Sequence, residues 1–306
     1  MQRFLYVLLF LVLTLVIVFF VVRVPSKSPD QLREKYTNAE SEFVEIQGMP
    51  VHYRIEGQGH PLVLIHGTAS SLHTWGGWTE ALKDSFQVVR LDMPAFALTG
   101  PHKDGEYSYD FYVQFLDEFV QRIGLDTFAL AGNSLGGAIS WNYALQYRDK
   151  LTHLILVDAS GIPKAAQEPP LVFKLAKSPA TAFLLKHITP RSFIEDNMRQ
   201  VYYNDLLITE ELVDRYYDMT LREGNRQAFI DRVKTKMSDR SSEIQTIAIP
   251  TLIQWGRYDE WIPVQDGFRF QELLPNSSLI LYEAGHVPME ELPKETALDV
   301  REFLLK

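Results

Sequence analysis

From Phe4 to Val22 the chain runs nineteen residues without a charge. Wound as an α-helix, that run spans about 28 Å, close to the hydrocarbon thickness of a bilayer. The competing pattern is a cleaved signal peptide, whose apolar stretch is shorter and ends at a small-x-small site. Here the run ends in Val21-Val22-Arg23-Val24-Pro25, with no such site. Residues 1–23 are therefore expected to form an uncleaved transmembrane anchor, with a cleaved signal or a buried core helix as the alternatives. A polar stretch over 24–42, holding Pro25 and Pro29, reads as a juxtamembrane linker, part helical at most. Phe43–Ile46, a turn at Gln47-Gly48-Met49-Pro50 and Val51–Ile55 then read as a hairpin.

Beyond the hairpin the pattern changes. Leu62–Ile65, Val88–Leu91, Phe128–Ala131, Leu154–Val157, Thr251–Trp255 and Leu279–Tyr282 are short and almost wholly apolar. Strands apolar on both faces belong in a parallel sheet covered by helices. Between them, Phe111, Phe115, Phe119 and Ile123 recur every four residues, one face of a helix over 109–123. Segments 135–147 and 267–274 are also compatible with helix. This alternation predicts an α/β fold with a doubly wound, mostly parallel sheet. One interval, 162–245, shows no strand, only helix-like pieces such as 171–176 and 210–222. It is expected to be a helical lid over the carboxyl edge of the sheet, where ligands bind in such folds. The lid divides the core into a first part, 43–161, and a second part, 246–306.

Charge and composition narrow the function. The net charge of −9, with no basic stripe interleaved with aromatics, argues against a nucleic-acid partner. Cysteine is absent, which removes disulfides, thiolate metal sites and cysteine nucleophiles together. Around the anchor, Arg3 stands on one flank against Arg23, Lys27, Arg33 and Lys35 on the other, a count that keeps the following domain cytoplasmic. A short charged tail is also how many export-type anchors begin, so both orientations stay open.

The candidate chemistry centres on Gly132-Asn133-Ser134-Leu135-Gly136, which follows one apolar strand and opens a helix. A strand-to-helix turn of this kind exposes a serine hydroxyl at the sheet edge and aims a helix N-terminus at a developing oxyanion. The other reading of such a pentapeptide is a tight packing turn. A serine hydroxyl needs a base. His286, in Gly285-His286-Val287-Pro288 after the last strand, is placed to supply one. Asp259, after the strand before it, gives the order Ser, Asp, His; Asp158 and Glu260 are the rival acids. For Asp158 the plainer reading is a cap or turn residue. Gly67 permits a close backbone turn after Leu62–Ile65, so the N–H of Thr68 pairs with that of Leu135 as oxyanion donors. His66, beside that turn, is read as fixing the loop by hydrogen bonding. Trp75, Trp78, Phe96 and Trp141 are aromatics that either line an acyl pocket or, as is commoner, fill the core. No phosphate loop or zinc pair is present, and Glu56-Gly57-Gln58-Gly59 precedes a strand, which makes it a turn and not a dinucleotide site. No cofactor and no metal are expected.

On Leu64-Ile65-His66-Gly67, Asp92-Met93-Pro94, Gly132-Asn133-Ser134-Leu135-Gly136-Gly137, Gly256-Arg257-Tyr258-Asp259 with Pro263, and Gly285-His286, the chain from Phe43 to Lys306 resembles the lid-bearing α/β-hydrolase superfamily. That superfamily includes esterases and the carbon–carbon bond hydrolases of aromatic ring cleavage. The resemblance implies triad roles for Ser134, Asp259 and His286, with Thr68 and Leu135 as oxyanion donors. Serine at the nucleophile position departs from haloalkane dehalogenases and epoxide hydrolases, which use aspartate. Val287 stands where the carbon–carbon hydrolases tend to have tryptophan. Ala95 and Ala97 stand where relatives commonly have glycine, at a cost if those positions need a positive φ. The expectation is a membrane-tethered serine hydrolase of carboxylic esters on lipophilic, lipid-like substrates. Its rivals are a carbon–carbon hydrolase and a hydrolase fold serving as a non-catalytic binding module.

Overall fold

A computed structural model describes residues 2–163 and 168–306. Residues 164–167, inside the expected lid interval, lie outside the described residues, as does Met1 at the head of the anchor. The first helix, α1 (Gln2–Val22), is long and apolar enough to cross a membrane. A second helix, α2 (Pro29–Tyr36), follows in the stretch read as a linker. Its start is written in Ser28-Pro29-Asp30-Gln31: the Ser28 hydroxyl accepts the Gln31 N–H while the Gln31 side chain accepts the Ser28 N–H. Nor does the stretch hang free. Asp218, from the helical segment described below, takes Lys27 at 2.5 Å, Lys35 at 3.0 Å and the Tyr36 hydroxyl at 2.9 Å.

Eight strands build the sheet: β1 (Ser41–Ile46), β2 (Met49–Glu56), β3 (His60–Ile65), β4 (Phe86–Leu91), β5 (Phe128–Asn133), β6 (Leu151–Val157), β7 (Thr251–Gly256) and β8 (Ser277–Tyr282). Their order is β1-β2-β4-β3-β5-β6-β7-β8, antiparallel between β1 and β2 and between β2 and β4, and parallel elsewhere. The hairpin turns more tightly than expected. Gln47 and Gly48 alone form it, both at positive φ, and Met49 and Pro50 already belong to β2.

Helices α3 (Gly76–Leu82), α4 (Tyr109–Arg122), α5 (Leu135–Gln146), α11 (Val264–Leu273), α12 (Pro288–Glu291) and α13 (Pro293–Leu304) flank the sheet. The central strands are largely apolar because each face has its own cover. Val63, Ile65, Leu130, Leu154 and Leu156 join Phe111, Phe115 and Phe119 of α4 in one core. Leu62, Leu64, Ala131, Ile155 and Val157 join Trp78 of α3 and Val300 of α13 in the other. Trp75, Trp78 and Trp141 are fully buried core residues, and of the four aromatics only Phe96 reaches a cavity.

Between β6 and β7 the described residues hold α6 (Leu171–Lys177), α7 (Pro179–His187), α8 (Arg191–Val201), α9 (Glu210–Leu221) and α10 (Asn225–Lys234), and no strand. The loop after β4 runs beneath them. Ala95 and Ala97 adopt φ of +80° and +45°, the conformation that relatives' glycines suit. Both are buried, and their methyls line an apolar cavity. For Ala95→Gly, relief of about 1–2 kcal/mol of left-handed strain is opposed by the lost burial of one methyl, about 0.8 kcal/mol, and by a floppier unfolded chain, about 0.4–1 kcal/mol. The variant is therefore expected to unfold within about 1 kcal/mol of wild type, as checked by denaturant titration in detergent.

Candidate active site

Ser134 sits at the junction of β5 and α5 with φ +53° and ψ −114°, a strained conformation for a residue with a side chain. The turn is possible because its flanks are bare. A Cβ on Gly132 would lie 2.3 Å from the Gly136 carbonyl oxygen, and one on Gly136 would lie 2.3 Å from the Ile65 carbonyl oxygen. Ser134 is held by its N–H donating to Val157 at 3.0 Å and by its carbonyl accepting from the Ser160 N–H and hydroxyl.

His286 and Asp259 meet as expected from their loops. The His286 Nδ1 lies 2.6 Å from Asp259 Oδ2, and Asp259 Oδ1 accepts the N–H groups of Trp261 and Ile262 at 2.7 and 2.9 Å. Both residues are nearly inaccessible to solvent, whereas Glu260 points outward. With Nδ1 bound to the carboxylate, Nε2 is the nitrogen left for a substrate-side proton. Ser134 and His286 line one cavity of about 730 Å³, together with Thr68, Phe173, Ile194, Tyr216 and Trp261. In this conformation no hydrogen bond joins Ser134 to His286 among the described residues. Thr68 and Leu135 border an adjoining cavity that Ser134 and His286 also line, and neither of their N–H groups donates elsewhere among the described residues. A hydroxyl, an imidazole oriented by a carboxylate and two unspent N–H groups are the parts that acyl transfer uses.

His66 is fully buried and lies outside the cavity walls. Its Nδ1 bonds the Gly67 carbonyl at 2.7 Å and its Nε2 accepts the Met93 N–H at 2.9 Å. Burial pushes its pKa below the usual histidine value, so it is a neutral brace for the Thr68 loop.

Several contributors carried no sequence signal. Asn133 donates to the His286 carbonyl at 3.0 Å and so ties the serine turn to the histidine loop. Glu291 accepts the N–H groups of Gly285, Tyr203 and Asn204 at 2.6, 3.0 and 2.9 Å. Glu290 takes the hydroxyls of Tyr202, Tyr216 and Thr74 and the guanidinium of Arg215. Trp261 sets its ring against that of His286, with centroids 5.7 Å apart. The lone clue was that Glu290 and Glu291 follow Pro288-Met289, where a short helix packs against the core.

Asp158, the rival acid, is fully buried after β6. Its Oδ1 accepts the Gly256 N–H at 2.9 Å, and its Oδ2 has no hydrogen-bond partner among the described residues. One oxygen of Asp158, one of Asp259 and a ring nitrogen of His286 lie within 4.8 Å of one another. Because Asp259 is already committed to His286 and to two backbone N–H groups, the trio is not an open ligand set. Burial first, then the adjacent Asp259, with Glu291 adding to it, pushes the Asp158 carboxyl well above its ordinary 3.8. The folded protein therefore keeps a proton that the unfolded chain releases, and stability falls as pH rises from 3.8 toward the folded value. Asp158→Asn keeps the neutral shape and removes that titration. The variant's melting temperature in detergent, relative to wild type, is expected to rise from about pH 4 to about pH 8. A pH-independent difference would mean that Asp158 is ionised throughout.

Known proteins share this arrangement of elements. A 2-hydroxy-6-oxo-6-(2'-aminophenyl)hexa-2,4-dienoic acid hydrolase of Metapseudomonas resinovorans is 27% identical over 286 residues, covering 90% of this chain and 94% of its own. A putative lipase from Acinetobacter baumannii AYE superposes with a TM-score of 0.76 at 26% identity, over 90% of this chain and 94% of that one. A membrane phospholipase A superposes with the same TM-score at 24% identity, over 99% of this chain and 98% of that one, a likeness of fold alone. The sequence profile of the alpha/beta hydrolase fold matches residues 60–293, from β3 to the start of α13. With that match and the eight-stranded sheet, the chain belongs to the α/β-hydrolase superfamily and is a hydrolase.

Proposed function

We propose that the protein is a membrane-anchored serine hydrolase that cleaves carboxylic esters bearing lipophilic acyl groups. One observation carries the reading: Ser134, His286 with its Asp259 partner, and Thr68 line an apolar cavity of about 730 Å³, and Leu135 lines an adjoining cavity that shares Ser134, His286 and Thr68 with it. A second cavity of about 530 Å³ shares the walls Ala69, Val172, Phe193, Ile194 and Phe229 with it. Such a continuous apolar lining suits a hydrocarbon chain. The helix α1 supports the anchor by length and composition, and helices α6–α10 would serve as the lid.

In this reading Ser134 Oγ attacks the ester carbonyl carbon while His286 Nε2 takes its proton and Asp259 stabilises the imidazolium. The oxyanion is met by Thr68 and Leu135. His286 returns the proton to the alkoxide as the C–O bond breaks, leaving an acyl-Ser134. Water, deprotonated by His286, then releases the acid and restores Ser134. No cofactor enters the cycle.

The dienoic-acid hydrolase relative favours a second reading, cleavage of a carbon–carbon bond in a vinylogous diketone. Val287 weighs against it, since those hydrolases tend to carry tryptophan after the histidine. An ester chain-length series run beside such a diketone separates the two by kcat/KM.

Ser134→Ala is expected to lower turnover of short activated esters by about four to six orders of magnitude, with the circular dichroism spectrum unchanged. Fluorophosphonate labelling should disappear with it. Retained turnover would remove Ser134 from the mechanism, and a folded wild-type protein that never labels would support a non-catalytic binding module.

A further inference from the structure

Helices α6 and α7 have two apolar faces. Inward, Val172 and Leu185 line the cavity system that reaches Ser134. Outward, Leu171, Phe183 and Leu184 are 57%, 53% and 48% exposed, an apolar surface that the fold leaves largely open. Core burial leaves no such demand at these positions, and contiguous exposed apolar side chains mark interaction surfaces. The charge around them is also distinctive. The chain as a whole carries −9, yet from Leu171 to His187 it has Lys174, Lys177 and Lys186 and no carboxylate. Lys174 pairs with the exposed Glu168 from the preceding loop; Lys177 and Lys186 make no ion pair among the described residues.

This surface adjoins the end of α1. The Phe19 ring stacks on that of Phe183, centroids 5.6 Å apart, and sits edge-on to His187. Just past the helix, the Val24 N–H donates to the His187 carbonyl at 2.9 Å. Arg226 donates to the Val24 carbonyl and the Ser26 hydroxyl, both at 3.0 Å. Lys27 exchanges backbone hydrogen bonds with Leu221 and Glu223. The exit of the apolar helix is thus stitched to α7, α9 and α10, so α7 lies at the depth where α1 would leave a bilayer.

On the reading that α1 spans a membrane, we propose that the outward face of α6 and α7 docks on the same bilayer. Leu171, Phe183 and Leu184 would enter its headgroup–acyl boundary, and Lys177 and Lys186 would meet lipid phosphates. The wall between the bilayer and the substrate cavity is then one helix thick, and an ester in the leaflet lies next to the cavity that would receive it.

The absence of cysteine makes the test direct. Full-length Leu184→Cys carries an environment-sensitive nitrobenzoxadiazole label and is reconstituted into phosphatidylcholine–phosphatidylglycerol vesicles. Arg122→Cys, at the amino edge of the sheet, serves as the water-facing reference. The label at 184 is expected to show blue-shifted emission and quenching by nitroxide lipids, and the label at 122 neither; identical behaviour at both sites overturns docking. This readout needs no catalysis, so it stands apart from the ester-hydrolase reading. In the same vesicles, Phe183→Glu with Leu184→Glu is expected to slow hydrolysis of a bilayer-embedded ester by about tenfold or more while a short soluble ester is turned over as before. Equal losses on both substrates, or no loss on either, would also overturn it.

Discussion

The structure depends on how closely three backbone segments approach one another around Ser134. The carbonyl of Gly136 occupies the space a side chain at position 132 would need, and the Ile65 carbonyl occupies the space needed at position 136. A methyl group at either place would push the serine turn away from the β3 loop. That contact brings the Thr68 loop, on one strand, beside the start of α5, on the next. It also leaves Ser134 at a positive φ that its surroundings, and not its own preferences, impose. The neutral His66 brace fixes the loop on the far side of the contact, so both halves of the candidate oxyanion site are set by rigid core elements.

The histidine side is built differently. His286 donates its backbone N–H to Val201, at the end of α8, and Glu291 gathers N–H groups from both Gly285 and the chain just after α8. Glu290 binds Tyr202, Arg215 and Tyr216 of the helical segment and Thr74 of the core. Buried carboxylates with this many donors are satisfied only while the pieces stay assembled. The imidazole is therefore positioned jointly by the core and by the helices that cover it, whereas Ser134 is positioned by the core alone. Movement of those helices would be felt first at His286.

The same helical segment receives the end of α1. Asp218 and Arg226 hold the residues that follow the apolar helix, and Phe183 meets Phe19. Cavity wall, cover and N-terminal helix thus form one connected body. The alanines at 95 and 97 belong to it as well: they hold a positive φ while their methyls line the cavity, and glycine would relieve the strain and remove the lining together.

Much of this was legible in the sequence, for physical reasons that differ from residue to residue. Local pattern determined the strands, because a central parallel strand must be apolar on both faces, and it determined α4 through its fourfold phenylalanine spacing. Chain order with glycine placement singled out Ser134, Asp259 and His286, since the turn chemistry is local even though the three residues are far apart in sequence. For Ala95 and Ala97 the resemblance to relatives with glycine flagged a cost only if φ were positive, and the fold decided that it is. The capping box at Ser28 was also local, yet its eight-residue helix lacks an apolar stripe and gave no periodic signal. What tertiary structure alone decided were contacts between segments distant in the chain: Glu291 on Tyr203 and Asn204, Asp218 on Lys27 and Lys35, Trp261 on His286, and Asp158 sharing its burial with Asp259. A buried charge or ring acquires its role from whatever folds against it, and no periodicity in one segment records the identity of its partner in another.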